Sequence, residues 1–303
     1  MESSKKNISV LILTYNEEKH IARCLISLKS IAAEIFIVDS FSTDNTVSIA
    51  QEHGAKVYSN PWINYAKQFQ WGLDNCPIKT KWVMRMDSDE YILPELETEI
   101  QNKLDKIPSD ITGIYIKRRM HFKGKWIKHG AKYPEWLLRI WEFKAGVIEE
   151  RWMDEHVLLR YGNTLKFSND LVDDNLNGIS WWTDKHNSYA SREAIDLLIT
   201  GKSLKVVPSL FGTQEERKRF LKYKYARLPL FVRPLIYFSW RYFLKLGFLD
   251  GKQGLIWHFL QGFWYRFLVD TKIYEVRNIA KTDNISIETV LMRDYGYQKR
   301  IED

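Results

Sequence analysis

Ile8-Ser9-Val10-Leu11-Ile12-Leu13-Thr14 is a nearly unbroken apolar run rich in β-branched residues. Such a run reads as a strand buried on both faces, as in a parallel sheet. Beyond it, Ile21, Cys24, Leu25 and Leu28 recur at helical spacing, so a helix with one apolar face follows. The same alternation repeats along the chain. Glu34 to Val38 is a second strand, ending at Asp39, and Ser40 to Thr46 supplies turn and N-cap chemistry for a helix carrying Val47, Ile49 and Ala50. His53-Gly54-Ala55 stops that helix, Lys56-Val57-Tyr58 is a third strand, Tyr65 to Asn75 is helical, and Lys81 to Met86 is a fourth strand. Strands alternating with helices imply right-handed βαβ units and a parallel sheet.

Further on the pattern loosens. Pro94 to Ile107 reads as a helix, Ile111 to Arg118 as a strand, Phe122 to Trp126 as a hairpin and Glu135 to Trp141 as another strand. Leu171 to Gly178 is polar and reads as a loop, and Trp181 to Ala194 opens a helix. Pro234 suits the first turn of a helix continuing through Leu249 to Gly251, with Arg233, Arg241 and Lys245 along one side. A second helix, Gly254 to Val276, carries His258, Gln261, Arg266 and Asp270 as a narrow polar stripe beside a broad apolar face. Wide aromatic faces flanked by cations suit helices lying in a membrane interface. The competing reading is that these aromatics pack against the rest of the protein. No run approaches the roughly 18 uninterrupted apolar residues of a spanning helix.

Composition adds partners to this outline. With 45% hydrophobic and 27% charged residues, the 303-residue chain is a folded protein with a sizeable core rather than a disordered one. Net charge is +7, and residues 201–250 hold 11 Lys and Arg against 3 Asp and Glu, a surplus of eight, so that segment alone accounts for it. A basic, aromatic segment suits an anionic partner, a phospholipid surface or a nucleic acid. No nucleic-acid-binding motif accompanies it, and Leu, Phe and Trp interrupt the cations too often for a phosphate-tracking surface, so no nucleic acid is expected. Cys24 and Cys76 make neither a metal spacing nor a disulfide framework and fit a reducing compartment. The first residues lack a signal-peptide core, so a cytoplasmic protein, peripheral on the inner membrane face through residues 214–276, is expected.

The chemistry gathers where strands end. Trp82 to Met86 runs directly into Asp87-Ser88-Asp89-Glu90. Two carboxylates one residue apart suit a hard divalent cation, Mg2+ or Mn2+, although the same pattern also occurs in solvated strand-to-loop corners. Thr14, Asn16 and Asp39 also lie just past strand ends, and in a parallel sheet ligands bind beyond the carboxyl ends of the strands. Neither G-x-G-x-x-G nor a Walker A motif is present, which removes support for dinucleotide dehydrogenases and P-loop enzymes.

Val10 to Glu18, then Ile37-Val38-Asp39-Ser40 with Ser42-Thr43-Asp44, then Met86 to Glu90, resemble in content and order the family 2 glycosyltransferases of the GT-A fold, in particular bacterial enzymes of lipopolysaccharide core, O-antigen or other surface polysaccharide. The resemblance implies a Rossmann-like, mostly parallel sheet flanked by helices. It implies a catalytic domain over 1–200, divided into a nucleotide-binding half at 1–93 and an acceptor half at 94–200; the aromatic, cation-flanked helices make 201–303 a helical, membrane-associating region. Thr14, Asn16 and Glu17 would then line the nucleotide pocket, Asp39 would meet uracil or ribose of a UDP-sugar, and Gln68 would fall on the donor helix, where Phe69 and Gln70 depart from the family's usual Gln-Arg-Asn. Asp87 and Asp89 match the Asp-x-Asp, with Asp89 as the direct metal ligand. Relatives place an acidic pair or a His-Glu near Asp154-Glu155-His156, which makes Asp154 or Glu155 the general base and His156 a metal or phosphate ligand, or else a structural histidine. Similar transferases carry a segment like Lys185-His186-Asn187-Ser188-Tyr189, so a helix start with Lys185, His186 and Arg192 would meet acceptor phosphate, unless it is a solvated helix face. The implied activity is inverting transfer of a sugar from a nucleotide-sugar donor to a lipid-linked saccharide, with transfer to polyprenyl phosphate as the alternative. A nucleic-acid-binding module is the alternative of another class.

Overall fold

A computed structural model describes residues 6–149, 157–199, 221 and 224–297. The chain divides into two compact units, Met1–Asn177 and Gly178–Asp303. The helix that begins after Gly178 therefore packs with the C-terminal segment.

The first unit is an α/β layer structure. Its nine-stranded sheet, among the described residues, has the order β3-β2-β1-β4-β8-β6-β11-β5, with β7 paired to β6. The strands are β1 (Ile8–Thr14), β2 (Glu34–Asp39), β3 (Lys56–Ser59), β4 (Trp82–Asp87), β5 (Glu90–Ile92), β6 (Ile111–Phe122), β7 (Lys125–Trp126), β8 (Glu135–Glu142) and β11 (Asn163–Asp174). β9 (Gly146–Ile148) and β10 (Val157–Leu159) form a separate antiparallel pair.

β1, β2, β3 and β4 are mutually parallel, as the repeating pattern implies. Val10, Leu11 and Ile12 are fully buried because helices cover both faces. On one side α1 (Ile21–Leu28) contributes Ile21, Cys24, Leu25 and Leu28 to a core with Val10 and Ile12. On the other, α3 (Tyr65–Asn75) packs Ala66, Phe69 and Leu73 with Leu11, Phe36 and Val38. Asn64 caps α3 by accepting from Lys67 N at 2.8 Å. α2 (Thr46–Glu52) and α4 (Pro94–Lys103) complete the unit's helices among the described residues. Beyond β4 the sheet turns mixed: β8 is antiparallel to β4 and β6, while β11 is parallel to β6. A parallel half continued by a mixed half, flanked by helices and followed by a helical region, is the fold class expected.

The expected loop over Leu171–Gly178 holds only for its second half, residues 175–178. Leu171 to Asp174 are the last residues of β11, with Leu171, Val172 and Asp173 paired to Ile92, Tyr91 and Glu90 of β5. Its acids are tolerated there because cations reach them from elsewhere: Arg118 Nη1 lies 3.1 Å from Asp173 and Arg23 Nη1 donates to Asp174 at 2.8 Å.

The second unit contains α5 (Ile179–Ile199), α6 (Val232–Ser239), α7 (Gly251–Trp257), α8 (Tyr265–Thr282) and α9 (Ile287–Tyr295). Residues 240–244 and 258–264 are π-helical, the first following α6 and the second joining α7 to α8. Ala190 and Ala194 of α5 share a core with Tyr265, Val269 and Ile273 of α8. The expected helix from Pro234 to Leu249 is broken at Leu246, whose positive φ of 58° opens a tight turn. Half of the polar stripe does not face water: His258 and Asp270 are fully buried, while Gln261 and Arg266 are half-buried. Arg233, whose Nε donates to Asp270 Oδ1 at 2.7 Å, and Arg241 are buried as well.

Candidate active site

Register brings the strand ends to one level: Thr14 pairs with Asp39, and Leu13 with Asp87. The loops that follow β1 and β2 are tied side to side. Asp39 Oδ1 accepts from the hydroxyls of Thr14 (2.8 Å) and Ser42 (2.6 Å), and its Oδ2 accepts from Ser42 N (2.7 Å). Three of the roughly four acceptor positions of this buried carboxylate are thus used within the protein. Asn16, with φ 55°, accepts from Thr43 N at 2.8 Å, and its own N donates to Ser42 Oγ at 2.8 Å. Glu17 N donates to Thr46 Oγ1 at 2.7 Å. Glu17 Oε2 lies 2.6 Å from His20 Nδ1, and since His20 Nε2 accepts from Leu176 N at 2.9 Å, the ring proton is on Nδ1.

Gln68 is buried behind this loop pair. Its Nε2 donates to Ser40 Oγ and Asn60 O, both at 3.0 Å, and its Oε1 accepts from Asn60 Nδ2 at 2.7 Å. Its amide thus ties the loop after β2 to the residue that follows β3.

The carboxylates after β4 fall into three environments. Asp87 accepts from Tyr65 Oη at 2.8 Å and from Arg139 Nη2 at 3.2 Å. Burial pushes its pKa up, but the Arg139 and Arg85 guanidiniums and these hydrogen bonds outweigh it and hold the carboxyl well below its ordinary range. Glu90 is fully buried, ion-paired with the same Arg139, and accepts from Asp87 N at 3.0 Å. Burial raises its pKa, to about 8; Arg139 opposes the rise and the Asp87 charge adds to it. Asp89 is half-buried; its Oδ2 accepts from Asn175 Nδ2 at 2.9 Å, and its carbonyl accepts from Arg23 Nη2 at 3.3 Å. Asp173 comes in from β11 opposite Glu90. Its pKa is raised to about 6, first by burial and further by the Asp89 and Asp87 charges, against Arg118 and Lys132.

The structure therefore gathers Thr14, Asn16, Glu17, Asp39, Gln68, Asp87 and Asp89 about the ends of β1, β2 and β4. Asp154, Glu155 and His156 lie outside the described residues. Lys185, His186 and Arg192 belong to α5 of the second unit. That helix begins at Ile179, so these side chains sit in its second turn and beyond. His186 stacks on Trp182, with ring centroids 3.4 Å apart, its Nδ1 lies 2.8 Å from Trp182 O, and burial lowers its pKa to about 4. Lys185 lies over the Trp181 ring at 4.5 Å, and Arg192 over Tyr189 at 5.9 Å.

Five side chains at the site were given no role from the sequence: Tyr65, Glu90, Arg118, Arg139 and Asp173. Two of them carried a signal, Glu90 as the third carboxylate after the fourth strand and Arg139 as the arginine near the end of an apolar strand.

Among the described residues no three His, Cys, Asp or Glu side chains are grouped to hold a metal ion by themselves. Asp87 already has partners on both oxygens, whereas Asp89 Oδ1 carries none among the described residues. This donor set fits a cation held by one or two carboxylates and completed by substrate phosphates and water, the usual state of Mg2+.

Residues 9–164 match the family model described as Glycosyl transferase family 2. The chain belongs to that family. The enzyme is 28% identical over 297 residues to an uncharacterised glycosyltransferase of Rickettsia typhi, covering 92% of each chain. It is 26% identical over 300 residues to the lipopolysaccharide core biosynthesis glycosyltransferase LpsC of Rhizobium meliloti, covering 93% of this chain and 97% of that one. Among solved structures it aligns with glucosyl-3-phosphoglycerate synthase from Mycobacterium tuberculosis in complex with Mn2+ and UDP-glucose, at 23% identity and a TM-score of 0.32. The alignment covers 38% of this chain, and the chain spans only 44% of that structure.

Proposed function

We propose that this family 2 glycosyltransferase moves a sugar, with inversion, from a nucleotide-diphosphate donor, a UDP-sugar, to a lipid-linked saccharide during synthesis of a bacterial surface polysaccharide such as lipopolysaccharide core, at the inner face of the cytoplasmic membrane. The observation that carries the reading is the convergence at one end of the parallel strands of the Asp39 loop pair and the Asp87–Asp89 carboxylates. The full-length similarity to LpsC supports the acceptor class.

In this reading the loops after β1 and β2 receive the nucleoside, with Asn16 and Glu17 at the rim and Asp39 and Gln68 holding the loops in shape. Asp89, with Asp87 next to it, would hold Mg2+ or Mn2+. When bound, the cation would neutralise charge on the departing nucleoside diphosphate. Arg139 fixes Asp87 and Glu90, so that the chain after β4 presents Asp89 in one orientation. The acceptor hydroxyl attacks the anomeric carbon on the face opposite the leaving group. Asp154 or Glu155 takes its proton. Lys185 and Arg192 are assigned to the phosphate of the acceptor, while His186, neutral and stacked on Trp182, shapes that stretch of the helix instead of pairing with the anion.

Calorimetric titration with UDP, in the presence and absence of Mn2+, tests the donor site. Binding that requires the metal supports it, and absence of binding to any nucleoside diphosphate under either condition removes it.

A further inference from the structure

Between Val232 and Phe259 the second unit wears its apolar side chains on the outside. Leu235, Ile236, Phe243, Leu244, Leu249 and Leu255 are 46–74% exposed, with Leu244 the most exposed. Trp240, Leu246, Phe248 and Ile256 extend the same surface. Monomeric proteins rarely expose contiguous apolar patches beyond a few hundred Å².

The charged groups of the same stretch are turned inward. Arg233, Asp250 and Arg241 are no more than 5% exposed, and His258 is fully buried. Arg233 is neutralised by Asp270, which also accepts from Phe231 N at 2.8 Å, and Arg233 Nη1 donates to Ala226 O at 3.0 Å. Arg241 lies over the Trp257 ring at 4.8 Å. Among the described residues 232–259, Lys245 and Lys252 are the only exposed charges. Polar inside and apolar outside is the arrangement of protein surrounded by hydrocarbon, where ionisable groups face the protein interior.

The stretch folds back as a hairpin. The ring of Phe238 in α6 lies 6.2 Å from Phe259 and 6.3 Å from Phe263. The return is tight where a Cβ on Gly247 would fall 2.6 Å from His258 Nε2 and one on Gly254 would fall 2.5 Å from Asp250 Cβ. The tip, Phe243–Leu249, is thereby held as a compact apolar knob. Among the described residues no helix is long and apolar enough to cross a membrane.

We infer that this hairpin inserts its apolar face into one leaflet of a phospholipid bilayer, tip first, without spanning it. The inference deepens the membrane placement proposed above and rests on it. A leaflet fits better than a second copy of the chain because the face carries its only two exposed charges as lysines. Lys245 lies 5.5 Å from the ring of the half-exposed Trp240, the amphipathic and cationic combination that sits at headgroup level. For this face apolar burial therefore outweighs charge, since Arg233 and Arg241 are withdrawn from its surface.

Co-sedimentation of the full chain with pure phosphatidylcholine vesicles, and with equimolar phosphatidylcholine–phosphatidylglycerol vesicles, at low and molar salt, tests this. Binding to both that survives molar salt is expected. The doubly substituted Leu244→Glu, Leu249→Glu protein, with an unchanged melting curve, should lose at least roughly tenfold in partition. Binding to anionic vesicles alone that is reversed by salt would leave a peripheral placement standing and overturn insertion. Absence of binding to either vesicle would overturn both. A concentration-dependent dimer without lipid, abolished by the same substitutions and unaccompanied by vesicle binding, would assign the face to a second copy instead.

Discussion

Arg139 Nη2 lies 3.2 Å from Asp87 Oδ2 and pairs at the same time with Glu90, so one buried guanidinium serves two carboxylates on either side of Ser88. Replacing it by Met would remove the main cation that holds the Asp87 carboxylate ionised, and with it the partner of the fully buried Glu90. Breaking a buried pair from one side costs about 3–5 kcal/mol. Urea unfolding of Arg139→Met should show a loss of that order, and Arg139→Met combined with Glu90→Gln should recover part of it.

Asp89 differs from Asp87 in having an oxygen that no described residue occupies. Asp89→Asn should keep its melting temperature while metal-dependent UDP binding weakens at least about tenfold, roughly 1.4 kcal/mol. Asp87→Asn should instead lower the melting temperature, since it removes the charge that Arg139 and Arg85 share. Calorimetry and thermal unfolding on the two variants separate these outcomes.

Asp154→Asn is expected to reduce turnover by about 10²–10⁴-fold with little change in donor affinity, the mark of a lost general base. Glu155→Gln should follow the same pattern if it is the base instead. Steady-state rates with a saturating donor, set beside UDP affinity, distinguish the two, and equal losses in rate and affinity would move the base elsewhere.

His186 should titrate far from its usual range. Its pKa falls from 6.5 to about 4, chiefly through burial and with help from Lys185, so the folded state resists a proton that the unfolded chain accepts. Where the unfolded chain binds more protons, stability rises with pH. The second unit should therefore lose stability as pH falls from about 6.5 toward 4 and be indifferent to this group above that window. His186→Phe should flatten that dependence in thermal unfolding.

What could be read from the sequence was governed by locality. The four parallel strands were legible because a strand buried on both faces is a continuous apolar run, and Asp39, Asp87 and Asp89 were legible because they end such runs. Asp173 was not, because Val172-Asp173-Asp174-Asn175 looks like a loop until Arg118 and Arg23, distant in sequence, are brought against it. The second unit shows a different limit. Periodicity separated His258 and Asp270 from their apolar neighbours correctly, but it could not say which side meets water, and the polar side is the buried one.

The bond from Leu176 N to His20 Nε2 has company. Arg23 reaches both the side chain and the carbonyl of Asp174, and Lys19 Nζ and Lys123 Nζ hold the side chain and the carbonyl of Asn177 at 3.3 and 2.9 Å. The residues just ahead of Gly178 are thus stitched to the start of the first helix and, through Asn175, to Asp89 itself. The point at which the chain leaves the first unit is also a clasp on the turn after β4, so a change in that last stretch of backbone would be felt at a carboxylate that Asn175 follows by 86 residues.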